Sequence, residues 1–450
     1  MHWSAFAAAA ALLLAGCAAT IPAALPAPPP ALEAVCLDPC RVPVGRGMAW
    51  EPHAAVHPHD PQHILVGSSS FGFGLAETFE AWAYAHTSLD GGATWTTVRM
   101  PGGPGTDPRH AMAPATHLGD PIVGFLPDGT AVYLGLMTTG AAPAQGMAGA
   151  WSGLSLFLAR SPDGGRTWPE ASIVPQGEGL SAWALLLYAP VGEQRSHDRP
   201  AMAIGPDGTI LVTWGLLGDD TRLTHASSTD GGRTWSPYRP IDTQRDASAG
   251  HPLMASDGAW HVAYMAWEDP QAFRENRFGL HFATSRDRGA SWDIQHLGAT
   301  AFFPFLAEVP GSGGQHLLLA YPEALGEGVE VPVLRASLDA GATWSAPVQL
   351  DGPAGPGQTL PTLAVDGDGV AWVSHFRNGA PTTYHAVPVD PHTLAAGQAV
   401  RLDADVGADP SLLGHYMGLA PLPKGVFAAW TSQAEGEAVF GATATLAATS

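Results

Sequence analysis

Ser88-Leu-Asp-Gly-Gly-Ala-Thr-Trp95 returns, with small changes, as Ser161-Pro-Asp-Gly-Gly-Arg-Thr-Trp168, Ser228-Thr-Asp-Gly-Gly-Arg-Thr-Trp235, Ser285-Arg-Asp-Arg-Gly-Ala-Ser-Trp292 and Ser337-Leu-Asp-Ala-Gly-Ala-Thr-Trp344. Recurrence at intervals of roughly fifty residues and upward marks a repeat architecture. Each residue type in the phrase has a physical use. Asp followed by Gly suits a tight hairpin, because the carboxylate can accept backbone N–H bonds across the turn while glycine takes positive φ freely. The tryptophan that ends each copy supplies the apolar area that a small four-stranded sheet lacks.

The segments between copies share one order of events: an x-Pro start, a short apolar strand, a Gly or Asp turn, and a longer apolar strand. Unit one runs from Glu51-Pro-His53, unit two from Gly119-Asp-Pro121, unit three from His197-Asp-Arg-Pro200, unit four from Gly250-His-Pro252 and unit five from Phe303-Pro304. A sixth, from Leu360-Pro361, and a seventh, from Gly414-His-Tyr416, keep the strands and lose the phrase. The seventh shows only Val426–Trp430 and Ala438–Leu446 as clear strands, so its outer strand is expected from the segment around Arg41 to Val44, which would close the ring and remove both sheet edges. The expected fold is all-β: a seven-bladed β-propeller, one domain over residues 41–450, with a six-bladed ring as the alternative. A β-helix would need shorter coils and no Trp-closed hairpins.

The five phrases resemble the Asp boxes of the sialidase superfamily, the bacterial neuraminidase repeats, and the resemblance spans the folded region. It implies that Asp90, Asp163, Asp230, Asp287 and Asp339 are structural and lie far from any catalytic centre. It also implies a clamp of three arginines for the sugar carboxylate, a tyrosine nucleophile with a glutamate beside it, and an aspartate acid/base. The family's Arg-Ile-Pro phrase has no match here; Arg46 stands in Gly45-Arg-Gly47 instead.

In a propeller the first strand of each blade lines the axis, and its start shares a face with the loops between strands two and three. The hairpin phrases must then lie on the opposite face. Function is therefore sought at the first-strand starts: Glu51, His53, His117, Asp120, His197, Asp198, Arg199, His251, His415 and Tyr416. Carboxylates this numerous belong in a solvated pocket rather than a packed axis. By the resemblance, Tyr416 with Glu51 is the candidate nucleophile pair and Asp120 or Asp198 the candidate acid. Arg199, paired with Asp198, and the histidines 53, 197, 251 and 415 are candidate ligand contacts. Arg377 is expected on the same face with Arg274 and Arg277, and Trp267 and Phe273 as stacking platforms for sugar rings. Gly179–Arg195, Phe71–Glu80 and Glu268–Asn276 are expected as rim loops. No cofactor is expected: Glu51, Asp120 and Asp198 offer oxygens to calcium, but no ligand spacing supports a metal site.

Composition bounds the partners. Formal charge is −21, from 20 basic and 41 acidic residues, so a phosphate backbone is repelled and nucleic acid is excluded. Charged residues are only 14% of the chain, which suits many short strands and turns. Ala5 to Ala15 is apolar and ends in Leu14-Ala-Gly-Cys17, a tetrapeptide similar to a bacterial lipobox. That resemblance implies a signal peptide over residues 1–17, lipidation of Cys17, and a Pro/Ala-rich linker over residues 18–40 that holds the domain off the membrane, facing outside the cytoplasm at the outer membrane or cell surface. Cys36 and Cys40 remain as a candidate disulfide. A closed ring leaves no edge for a subunit to protect, so a monomer is expected. Two functions compete: a surface-anchored propeller that recognises, and as a sialidase-like glycosidase hydrolyses, glycans at the channel mouth; or a non-catalytic scaffold that binds protein or polysaccharide.

Overall fold

Ser228 Oγ donates to Asp230 Oδ1 at 2.8 Å and accepts the Gly232 N–H at 2.8 Å, while Asp230 accepts the Thr234 N–H (2.9 Å) and hydroxyl (2.6 Å) on its two oxygens. The same bonds recur around Asp90, Asp163, Asp287 and Asp339, with Ser291 replacing threonine in the fourth box. Side-chain hydrogen bonds, first from the Thr94 and Ser291 hydroxyls, hold Asp90 and Asp287 down at about 2, and the Thr343 hydroxyl leads the same effect at Asp339. Five aspartates are thus used up inside their own turns.

Each box also reaches backwards. Trp95 packs on Phe427 of blade seven (ring centroids 5.7 Å), Trp292 on His225 of blade three (5.4 Å) and Trp344 on Phe282 of blade four (5.1 Å). Trp235 donates to Ser172 Oγ of blade two at 2.9 Å, and Trp168 joins a core cluster with Leu65 and Ala85 of blade one. The glycine at the fifth position of each box sits against the same preceding blade: a Cβ on Gly232 would strike Leu158, and one on Gly341 would strike the Phe282 ring. Only glycine allows that approach at these positive φ values, 84° and 83°.

The computed structural model describes residues 32–37, 41–46, 49–73, 79–138, 154–174, 196–217, 221–267, 271–272, 277–352, 355–407, 414–434, 436 and 438–447. Among them are seven antiparallel blades arranged as a β-propeller, six with four consecutive strands and the seventh completed by the N-terminal segment. The first strands are Ala49–His57, His117–Phe125, Ser196–Ile204, Asp246–Met254, Phe305–Glu308, Thr362–Val365 and Gly418–Pro421, each in contact with the next and the last with the first. The seven-bladed expectation holds, and the six-bladed alternative does not.

Ring closure follows the expected route and extends it. Val42–Arg46 pairs with Ala438–Leu446, setting Val42 opposite Gly441, and Ala34–Cys36 continues along the same strand, setting Ala34 opposite Leu446. The propeller therefore takes up part of the stretch expected as linker, because the last strand is long enough to offer ladder groups to both pieces. Arg41 joins them to the ring: its Nε lies 3.2 Å from Asp403 Oδ2 of blade six, which also accepts the Trp430 indole N–H at 2.9 Å, and its guanidinium stacks 3.5 Å over Phe440. Cys36 is disulfide-bonded, and its expected partner Cys40 lies outside the described residues. So do the expected signal peptide, Cys17, Phe273, Arg274 and the 179–195 loop.

The box geometry generates a stability test. Ser228→Ala leaves the buried Gly232 N–H without its acceptor and removes one of the donors to Asp230, and is expected to lower the unfolding free energy by about 1–3 kcal/mol in a denaturant titration.

Candidate functional site at the channel mouth

Four first strands carry a bulge at the same place. The ladder slips by one residue between Trp50 and His53, Gly119 and Ile122, Asp198 and Ala201, and Ser248 and His251. At each slip one residue has left-handed φ: Glu51 (52°), Asp120 (52°), Arg199 (54°) and Ala249 (54°). Glu51, Asp120 and Arg199 each precede a proline, which lacks the N–H that a ladder needs and so fits a bulge. Left-handed backbone costs about 1–2 kcal/mol for residues with a side chain, and such strain concentrates where side chains must be re-aimed for function. Three of the four strained positions are charged, and these three come together.

Glu51 is 7% exposed. Its Oε1 accepts the His415 backbone N–H at 3.1 Å and stands 3.2 Å from His415 Nδ1. Asp198 lies 3.5 Å from Arg199 Nε, and Arg199 is cradled by Phe302 and Phe303, whose centroids are 5.3 and 4.9 Å from its guanidinium carbon. Burial pushes the Asp120 carboxyl well above the usual range; the charges of Glu51 and Asp198 push it further, against the pull of Arg199. Asp198 is also raised, because burial outweighs the attraction of Arg199 and His415. The mouth is thus a set of three crowded carboxyl groups with one arginine, in which Asp120 and Asp198 are both pushed toward the protonated form.

Of the other expected residues, Tyr416, His53 and His251 line the channel beside Arg199. Tyr416 forms part of the floor: it is 9% exposed, and its hydroxyl is enclosed with no hydrogen-bond partner among the described residues. Burial raises its phenol well above the usual value, and Glu51, Asp120, Tyr133 and Asp198 add to this. His53 and His251 stand in the channel wall and pin neighbouring blades, each Nδ1 accepting a backbone N–H of the next first strand, from Val123 (3.3 Å) and Leu306 (3.2 Å). Burial lowers them to about 4 and about 3, so both are neutral pins. His197 is 1% exposed and packs beside Trp214 rather than facing the mouth, since strand alternation turns it away from its neighbour Asp198. His117 is likewise buried, beside the Thr138 hydroxyl at 3.1 Å. Arg377 is outside the channel lining, 3.7 Å from Asp351, and Trp267 is buried in the core.

Among the described residues Arg199 is the arginine that lines the channel, so a three-arginine clamp is not assembled there. Below the mouth the channel holds a cavity of about 90 Å³, lined from all seven first strands or the residues just before them. That is room for a few waters. A larger ligand stops at the mouth. No group of three or more His, Cys, Asp or Glu among the described residues is arranged to hold a metal ion. The aromatic pair Phe302-Phe303 and Tyr133 beneath Asp120 were not anticipated. The signal for the first is two phenylalanines immediately before an x-Pro strand start.

No protein-family model matches the chain, and no curated protein matches it. Solved structures do. A protein of unknown function from Dyadobacter fermentans aligns with 92% of this chain and all of its own length at TM-score 0.53 and 15% identity. An α-L-arabinofuranosidase of Fusarium graminearum, in complex with an iminosugar inhibitor, aligns over 80% of this chain and 99% of its own at TM-score 0.54 and 14% identity. A Hadza microbial sialidase covers 81% of this chain and 73% of its own length at TM-score 0.49 and 18% identity. At these identities the likeness is one of fold: the chain shares the β-propeller architecture of these proteins.

Proposed function

We propose that the mouth receives the end of a neutral glycan and hydrolyses its terminal glycosidic bond, with Asp120 as proton donor. The observation that carries this reading is a buried carboxyl group, Asp120, crowded by two neighbouring carboxyl groups, one of them, Glu51, fixed by His415, which pushes Asp120 toward its protonated form. Paired carboxyl groups with separated proton affinities are what glycoside hydrolysis requires: one gives a proton to the leaving oxygen, and the other stabilises or attacks the oxocarbenium-like centre. Glu51 takes the second role, and Asp198 with Arg199, steadied by Phe302 and Phe303, orients sugar hydroxyls. With one arginine at a strongly acidic mouth, an acidic terminal sugar is disfavoured. The similar Fusarium fold is recorded with arabinobiose, which supports a neutral ligand for this architecture. The lipobox-like Leu14–Cys17 supports a protein held by lipid in the cell envelope, acting on glycans outside the cytoplasm.

A binder without catalysis is the second reading, favoured by the enclosed Tyr416 hydroxyl. Incubating the chain with arabinobiose, a panel of neutral oligosaccharides and sialyllactose separates them. Monosaccharide release from a neutral substrate is expected, reduced by about 10²–10⁴-fold in Asp120→Asn and Glu51→Gln. Retention without release would establish the binder, and release from sialyllactose alone would overturn the neutral-sugar reading.

The same crowding predicts a stability effect. Asp120 has its folded pKa raised above the unfolded value, so its favourable contribution is complete at low pH and lost as pH rises through the elevated folded pKa. Asparagine keeps the shape and tolerates left-handed φ, so Asp120→Asn is expected to stabilise the fold at neutral pH by about 0.5–2 kcal/mol and to flatten the fall of stability as pH rises above the ordinary aspartate range. Thermal unfolding across a pH series measures both.

A further inference from the structure

Between blades five and six lies a cavity of about 10 Å³, room for one water or one ion. Three enclosed side-chain atoms of its lining residues have no hydrogen-bond partner among the described residues: Thr359 Oγ1, His375 Nε2 and Asn378 Oδ1. These residues are 4, 1 and 5% exposed. Two carboxyl groups share the lining, Glu330 from the third strand of blade five (Val329–Ser337) and Asp351 from the connection between the two blades. None of these residues lines the central channel.

The unpartnered atoms share one chemical character. Asn378 is oriented by its Nδ2, which donates to the Gln358 carbonyl at 3.1 Å, so the atom left over is the amide oxygen. His375 Nδ1 donates to the Phe376 carbonyl at 3.1 Å, and burial lowers this imidazole, so Nε2 of the neutral ring holds a lone pair. Asp351 Oδ2 stands 3.8 Å from His375 Nε2 and 3.7 Å from the Nε of half-exposed Arg377, too far from either for a hydrogen bond. Two ligands on a shared ion lie about 3.3–3.6 Å apart for bonds of about 2.0–2.2 Å at tetrahedral angles, so the first of these distances is within a few tenths of an ångström of that span. Burial pushes the Glu330 carboxyl up to about 7, although its Oε2 accepts the Thr359 N–H at 3.1 Å. Electron pairs gather here without donors to match, and buried groups left so are costly unless a cation engages them.

We infer that this cavity binds one first-row divalent metal ion, with Asp351, Thr359, His375 and Asn378 as ligands and Glu330 at its edge. Histidine and carboxylates alone do not form a metal group here; the amide and hydroxyl oxygens complete the set. An oxygen-rich shell suits Mn²⁺, and an imidazole whose Nδ1–H is fixed on a backbone carbonyl is already oriented as a ligand. Ca²⁺ prefers oxygens throughout and leaves that nitrogen unused. The ligands come from blade six and the connection from blade five, with Glu330 of blade five beside them. Blade six lacks the Asp box that would seat it on blade five, and the ion supplies a tie between the same two blades.

Titration of the full chain, stripped of metal with a chelator, against MnCl₂ and CaCl₂ tests this by calorimetry, thermal unfolding and electron spin-echo spectroscopy of the bound Mn²⁺. One Mn²⁺ per chain is expected, with a thermal midpoint that rises on binding, nitrogen coupling from one imidazole, and Ca²⁺ weaker by about tenfold or more. Asp351→Asn should weaken Mn²⁺ by about tenfold or more, and His375→Gln should abolish the nitrogen coupling. Thr359→Val removes an unpartnered hydroxyl, so it should weaken Mn²⁺ while leaving the thermal midpoint of the metal-free chain unchanged or higher. Absence of saturable binding would mean an ordered water only. That result, full affinity retained in both Asp351→Asn and Thr359→Val, or Ca²⁺ bound as tightly as Mn²⁺ would each overturn the inference.

Discussion

The seating of every Asp-box turn on the blade before it is the contact on which the rest of this structure depends. Serine, aspartate and threonine tie the turn to itself, leaving the fifth-position glycine and the tryptophan to press outward on the preceding blade. Because the direction of reach is the same each time, successive boxes fix successive blades. Trp95 on Phe427 carries the pattern across the gap between the first and last blades. Where blades six and seven lack the phrase, Asp366 and Asp403 take over part of its work, accepting the indole N–H groups of Trp372 and Trp430 and tying in the Gly425 N–H and Arg41.

A ring stapled on one face can leave strain on the other. The bulged first strands hold non-glycine residues at left-handed φ, and the side chains gathered there include three carboxyl groups that repel one another. Neither feature favours folding. Both are tolerated because apolar clusters between blades and the boxes behind them fix the backbone. The histidines in the channel wall belong to this support: kept neutral by burial, His53 and His251 bridge blade to blade beneath the mouth.

The repeat was legible in the sequence because every box residue acts within eight positions, so its chemistry is visible locally. The closing strand near Arg41 was legible by counting, since the seventh unit lacked one strand. What could not be read locally was register. That both Asp198 and Arg199 meet Glu51 and Asp120 turned on one bulge residue, although the x-Pro step marks it. His197 and Arg377 were expected at the mouth because they stand near strand ends; alternation buries the first against Trp214, and Asp351 engages the second. Tyr416 was placed at the right strand, but its enclosure by the floor depends on neighbours from other blades. The Ala34–Cys36 strand was hidden by the proline-rich composition around it.

The central claim is that burial in the closed ring, with Glu51 and Asp198 beside it, raises the Asp120 carboxyl above its usual range, as the proposed proton donor requires. Carbon-detected NMR titration of the Asp120 side-chain carboxyl, in wild type and in Glu51→Gln, tests it most directly. The account predicts a midpoint above the ordinary aspartate range that moves down when Glu51 loses its charge. An ordinary midpoint, unchanged by that substitution, would contradict it.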